Sequence, residues 1–186
     1  MIELLITTAI ILVLFTMYWG GNSATRQKSR QAICRQNLQK VYIGMEIFGN
    51  EHQGKFPDKP GARSPAEALD VLIPKYTADT ASFICPGGND GPLPGGESIA
   101  KRKISYAYYM GRSSGNSQDA LLTDRQVDAK SKGVNQPLFS ANGKAPGNNH
   151  KKYGGNILFC DGHAEASPPN SAFSLVLTQG VVLLNP

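Results

Sequence analysis

The chain of 186 residues predicts an α+β fold, a long N-terminal helix carrying a loop-rich head, on three observations. Met1 to Trp19 is an apolar run broken by one acid, Glu3. After Gly20-Gly21 the chain turns basic and amphipathic as far as Phe48. Gly 20 and Pro 12 then favour a β-containing head over a helix bundle. Three segments result: residues 1–21 as a greasy helix half, 22–50 as an amphipathic half, and 51–186 as the head.

Leu4 to Trp19 is slightly short of the about 20 apolar residues that a spanning helix needs, and Ile2 with Gly20-Gly21 can extend it. A secretory signal peptide competes, but no basic region precedes the apolar core. A core helix of a soluble protein is the weaker alternative, because no polar face appears before Asn22. Hydropathy therefore points to membrane insertion, with Tyr18-Trp19 as interface anchors and Gly20-Gly21 as the place for a kink. Glu3 is the anomaly: it lies at the water interface or pairs with a cation on a neighbouring chain.

Beyond Gly21, Cys34, Leu38, Val41, Met45 and Phe48 recur at spacings of 4, 3, 4 and 3, one helical stripe that Gly49-Asn50 stops. A helix from Ile2 to Phe48 would run roughly 70 Å, more than a head of this size needs, so part projects. Ser64-Pro65-Ala66-Glu67 matches a capping box and opens a short helix to about Ile73, ended by Pro74. Ser82 to Cys85 reads as a short strand or extended stretch, and Ile104 to Met110, Ala120 to Thr123 and Gln136 to Ser140 have strand composition. Tyr106, Tyr108 and Tyr109 pack across a sheet face, with a ligand-stacking platform as the alternative. Asn156 to Cys160, Asp161-Gly162 and His163 to Ala166 read as a hairpin with a type I′ turn, and Ala172 to Leu184 as a further hairpin or an edge strand.

The net charge of +5 is modest, and its basic runs (Arg26 to Lys40, Lys101-Arg102-Lys103, Lys151-Lys152) are solvated faces first and anionic lipid or nucleic-acid contacts second. Three cysteines define no disulfide framework and fit no zinc motif. With the head outside the cytoplasm, Cys34–Cys85 is the favoured oxidised pair and Cys160 a small buried residue. His150, Asp161 and His163 are candidate ligands for a divalent metal, although turn chemistry already accounts for Asp161. Asn89-Asp90-Gly91 and Asp124 could contribute to a calcium site but match no EF-hand. Neither an activated nucleophile nor a phosphate-binding glycine motif is recognisable, so the sequence supports no enzyme.

These residues carry a family resemblance. IELLITTAIIL resembles the N-terminal core of type IV pilins and pseudopilins, with Glu3 at the family's acid. Ala32-Ile33-Cys34-Arg35-Gln36-Asn37-Leu38 is similar to the Ser-Cys-x-x-Asn-Leu stretch of a large bacterial subgroup, and SFICPG to its Phe-x-Cys-Pro loop. His150 through NILFCDGH resembles its late signature, a His followed by Asp161-Gly162. Here the gap is one residue longer, and Cys160 stands where a small residue is common. The run begins at Met1, where the family has an internal Leu, so neither a processing site nor a methylated N-terminus is assigned.

The resemblance implies a helix packed on a small antiparallel sheet, and a single-pass protein of a bacterial inner membrane with its head in the periplasm or outside the cell. The cations after the apolar run favour the opposite orientation by the positive-inside rule, and the family orientation is preferred. Implied partners are homologous subunits in a filament, an inner-membrane assembly machinery and the lipid bilayer. The implied function is that of a non-enzymatic subunit of a type II secretion-like or type IV pilus-like filament. In the family, the acid at Glu3 neutralises a neighbour's terminal amine. A DNA-uptake or adhesive binding pilin is the alternative, and a membrane-anchored metal-binding protein on His150, Asp161 and His163 comes third.

Overall fold

The computed structural model describes residues 1–19 and 23–186. The expected kink at Gly20-Gly21 lies outside them, as do the side chains of Tyr18 and Trp19. Helix α1 is Ile2–Trp19 and helix α2 is Ser23–Glu51. They lie either side of residues 20–22, so the expected continuity of one long helix falls outside the described residues.

The placement in a membrane does not hold. Among the described residues no helix is long and apolar enough to cross one. The 18 residues of α1 span about 27 Å at 1.5 Å per residue, short of the ~30 Å hydrocarbon core. Glu3 and three threonines also dilute the run. The expected inner-membrane, single-pass localisation is therefore withdrawn.

Helix α2 lays its predicted stripe on the head: Cys34, Leu38, Val41 and Met45 are fully buried and Phe48 nearly so. The helix does not stop at Gly49-Asn50. It runs to Glu51, and the chain turns away at Gln53 and Gly54, both at positive φ. The His52 ring stacks on Phe48 at 3.8 Å and closes that end. Polar residues of α2 also grip the head. Asn37 donates to the Ile84 carbonyl at 3.1 Å, and Gln31 donates to the Gly155 carbonyl at 2.9 Å.

The cap at Ser64 forms as the sequence predicts. Its hydroxyl accepts the Glu67 N–H, while the Glu67 carboxylate takes the Arg63 N–H at 2.8 Å. Helix α3 covers only Pro65–Leu69, continued by a 3₁₀ turn at Asp70–Leu72. Thr80–Phe83 is also 3₁₀, so of the strand or extended stretch expected from Ser82 only the extended backbone at Ile84 forms. There the Ser82 hydroxyl and N–H both donate to the Asp79 carbonyl, which curls the backbone.

Five strands among the described residues form one antiparallel sheet, in the order β4-β3-β2-β1-β5. They are β1 (Tyr106–Met110), β2 (Ala120–Asp124), β3 (Gly155–Phe159), β4 (Ala164–Ser167) and β5 (Val182–Leu184). Together with the helices they establish the α+β class. Tyr108 fixes the centre of the sheet, opposite Leu122 on one side and Leu184 on the other.

Strands β1, β2 and β3 are buried at every position, so they lack the in-out alternation of a half-exposed sheet. Both faces are covered. Tyr106, Tyr108, Leu122 and Leu158 pack under α2 and α3. Ala107, Tyr109, Ile157 and Phe159 pack against Leu138, Phe139 and Leu175 on the other side. All three tyrosines are core residues, and the Tyr108 hydroxyl donates to the Pro57 carbonyl at 2.6 Å.

Gln136 to Ser140 forms no strand. Leu138 and Phe139 both donate to the single Pro169 carbonyl, a geometry no ladder uses. The Asp161-Gly162 hairpin exists, but its loop is longer than the two residues of a type I′ turn. Phe159 donates to His163 across a loop of Cys160, Asp161 and Gly162. Only Gly162 of these three has positive φ (89°), and Gly162 donates to the Phe159 carbonyl, a type I turn closed by a left-handed glycine. Of the two expectations for the C-terminal segment, the edge strand is what forms, as β5 beside β1.

Candidate functional site

Two places in this fold concentrate unusual chemistry: the surface of α1 and the buried ground between α2, β2 and the loop after Phe83. On α1, Ile2 is 74% exposed, and Leu4, Leu5, Ile6, Ile10 and Ile11 are all more than half exposed. The threonines do not relieve this apolar surface. Thr7 and Thr8 each bond back to the Leu4 carbonyl at 3.0 Å, and Thr16 to the Val13 carbonyl at 2.8 Å. The Glu3 side chain is exposed and has no hydrogen-bond or ion-pair partner among the described residues. On the outward side of α2, Ile33, Ile43 and Ile47 are also exposed.

In the head, Cys34 and Cys85 are joined by a disulfide that closes 51 residues of chain, both sulfurs buried. His150, fully buried, sets its Nε2 3.4 Å from Cys85 Sγ and 3.2 Å from Asp124 Oδ2. Asp124 ends β2 with its carboxylate held by three hydrogen bonds. Oδ1 accepts from the Asn149 amide at 3.0 Å, and Oδ2 accepts from the Asn156 N–H at 2.7 Å and the Asn156 amide at 3.0 Å. His150 Nδ1 has no partner among the described residues. Gly87 lets the ring in, since a Cβ there would meet both His150 Nδ1 and the Asn149 carbonyl at 2.5 Å.

The three candidate ligands His150, Asp161 and His163 do not converge. His163 and Asp161 sit on the exposed hairpin loop, Nδ1 to Oδ1 at 2.5 Å, with the His163 ring stacked on Phe159 at 4.2 Å. Slight desolvation raises the pKa of Asp161, but the hydrogen bonds from His163 outweigh this and hold the carboxyl below its ordinary value. Asp90 is committed elsewhere, accepting from Arg125 Nη2 and the Ser105 hydroxyl, each at 2.7 Å. Among the described residues the metal-capable group is Cys34, Cys85, Asp124 and His150. Asp124 was named only in a calcium context by its sequence. A carboxylate ending the apolar run ALLTD is the one signal that could have marked it for burial.

Cys160 is free and buried beside the hairpin loop. Burial pushes its thiol up to about 12. A thiol this far from ionisation is a poor nucleophile. An alkylating reagent at about pH 8 is expected to leave Cys160 unmodified in the folded oxidised chain and to label it fully once urea unfolds the protein, as intact mass reads directly.

Cations collect at a third place. Arg63, Lys101, Arg102 and Lys103 line an open cleft of about 390 Å³ beside Asn185. No family model, no curated protein and no solved structure matches this chain.

Proposed function

We propose that the chain is a non-enzymatic structural subunit that assembles with copies of itself through α1, in the manner of a pilin or pseudopilin. The observation that carries this reading is the surface of α1, apolar around its circumference and exposed beside a head that buries its own core. Water penalises such a surface by about 25 cal/mol for each Å² left uncovered, and a bundle of equivalent helices covers it. The exposed Ile33, Ile43 and Ile47 add further apolar surface on α2. The long helix on an antiparallel sheet, with Asp161-Gly162 at a hairpin loop, agrees with the family that the sequence resembles. Glu3, exposed near the start of α1 and without an ion-pair partner among the described residues, meets a cation on a neighbouring subunit as the helices bundle in this reading.

Glu3→Ala tests that role. Assembly of the full chain, followed by sedimentation, should fall by about tenfold, as the loss of one partly desolvated ion pair implies. Unchanged assembly would remove Glu3 from the mechanism. A second reading, an anion-binding module on the same scaffold, is favoured by the cleft of Arg63, Lys101, Arg102 and Lys103. DNA binding that falls steeply with salt would support it, and no binding at low salt would end it.

A further inference from the structure

The disulfide, His150 and Asp124 have the geometry of a metal centre with its two sulfurs joined. We propose that Cys34, Cys85, His150 and Asp124 form a zinc site whenever the disulfide is reduced, so that zinc and the disulfide are alternative staples of one position. This goes beyond the filament reading and is independent of it, because none of the four residues belongs to α1.

The four ligand atoms lie within 4.8 Å of one another. A tetrahedral zinc with bonds of about 2.3 Å to sulfur and about 2.0–2.2 Å to nitrogen and oxygen sets its ligand atoms about 3.6 Å apart for S and N and about 3.4 Å apart for N and O. The chain holds Cys85 Sγ and His150 Nε2 at 3.4 Å, and His150 Nε2 and Asp124 Oδ2 at 3.2 Å. The joined sulfurs must part, to about 3.8 Å, and the remaining pairs, all within 4.8 Å, must close to about 3.4–3.6 Å. Two thiolates, an imidazole and a carboxylate make a donor set that suits zinc and not calcium, which takes oxygen ligands.

The outer shell is also present. The Gly87 N–H points at Cys85 Sγ from 3.3 Å, a bond that favours a thiolate. Asn149 and Asn156 hold the Asp124 carboxylate in place. His150 Nδ1 has no partner among the described residues, so the imidazole alone lacks the outer-shell acceptor that a zinc-bound histidine usually has.

The chemistry balances in two steps. A dithiol reductant gives two electrons and two protons to the disulfide and is itself oxidised to a disulfide, freeing two thiols. Zinc then displaces the two thiol protons, and no electron moves.

The test uses the full chain, oxidised or reduced with a water-soluble phosphine, exposed to zinc chloride and desalted. The reduced chain should retain a single zinc ion and the oxidised chain none. Cobalt in place of zinc should give a thiolate-to-cobalt charge-transfer absorption. His150→Gln and Cys34→Ser should each weaken zinc binding by about tenfold or more. If reduction unfolds the chain, zinc should refold the native sequence and not Cys34→Ser. A folded reduced chain that retains no zinc, an unfolded one that zinc does not refold, equal retention by the oxidised chain, or a His150→Gln variant binding as tightly as the native chain would each overturn the proposal.

Discussion

Asp124→Ala is expected to destabilise the head by about 3–5 kcal/mol, the cost of leaving buried polar groups without their charged partner. The carboxylate is fully buried and accepts three hydrogen bonds, from the Asn149 amide and from the Asn156 N–H and amide. It also faces His150 Nε2 at 3.2 Å. Alanine would strand all of these donors in a space too enclosed for them to regain water. The residue sits where β2 meets β3 and where Asn156 in turn donates to the Gln31 carbonyl of α2 at 3.0 Å, so the damage reaches the helix–sheet contact. Asp124→Asn should cost less, because one oxygen survives, but it turns an amide toward groups that are themselves donors. Urea unfolding of the three proteins measures this directly. A loss under about 1 kcal/mol for alanine would mean that the network is not what holds β2, β3 and α2 together.

Breaking the disulfide is the second large effect. Cys34 and Cys85 close a loop of 51 residues, and the chain-entropy relation for such a loop gives about 4 kcal/mol at 25 °C. Against a typical total of about 5–15 kcal/mol, that is a large share of the margin. The cross-link ties the middle of α2 to the loop after Phe83. This is the contact that sets the helix on the sheet, since Leu38 and Val41 lie within two turns of Cys34. The double variant Cys34→Ala/Cys85→Ala should therefore unfold at a much lower denaturant concentration, and the native chain should match it when reduced without zinc. Comparing the two separates loss of the cross-link from loss of the buried sulfurs, which both proteins keep or lack differently.

How far the sequence foretold this fold depended on whether the signal was local. The stripe from Cys34 to Phe48 was legible because the helical period repeats through it, and Ser64 because a cap needs only four residues. Asp161-Gly162 marked a hairpin correctly, but not its loop, because the choice between two and three residues is made by the pairing of Phe159 with His163. Ser82 and Gln136 misled for one reason. β-type composition there is overruled by a shared carbonyl, that of Asp79 in one case and Pro169 in the other. The apolar start reads as a membrane span, yet among the described residues no helix is long and apolar enough to cross a membrane. The apolar surface of α1 nonetheless remains exposed, and a bundle of equivalent helices would cover it.

Half of the candidate metal group was legible: the sequence favours Cys34 with Cys85, and they are joined, but nothing in it sets His150 and Asp124 beside them. Its members come from α2, the loop after Phe83, the end of β2 and the loop before β3. Only the fold brings His150 to Cys85 across 65 residues. The motif-based trio of His150, Asp161 and His163 followed closeness in sequence, and the hairpin carries two of the three to the surface.

Sedimentation and electron microscopy of the full chain beside an Ile6→Lys/Ile10→Lys variant test the central claim most directly. Both substitutions lie on exposed positions of α1, away from the head's core, so the variant should keep the native unfolding curve. The account predicts that the native chain forms large, concentration-dependent assemblies and the variant stays monomeric. A native chain that remains monomeric at every concentration, or a variant that assembles as well as the native chain, would contradict it.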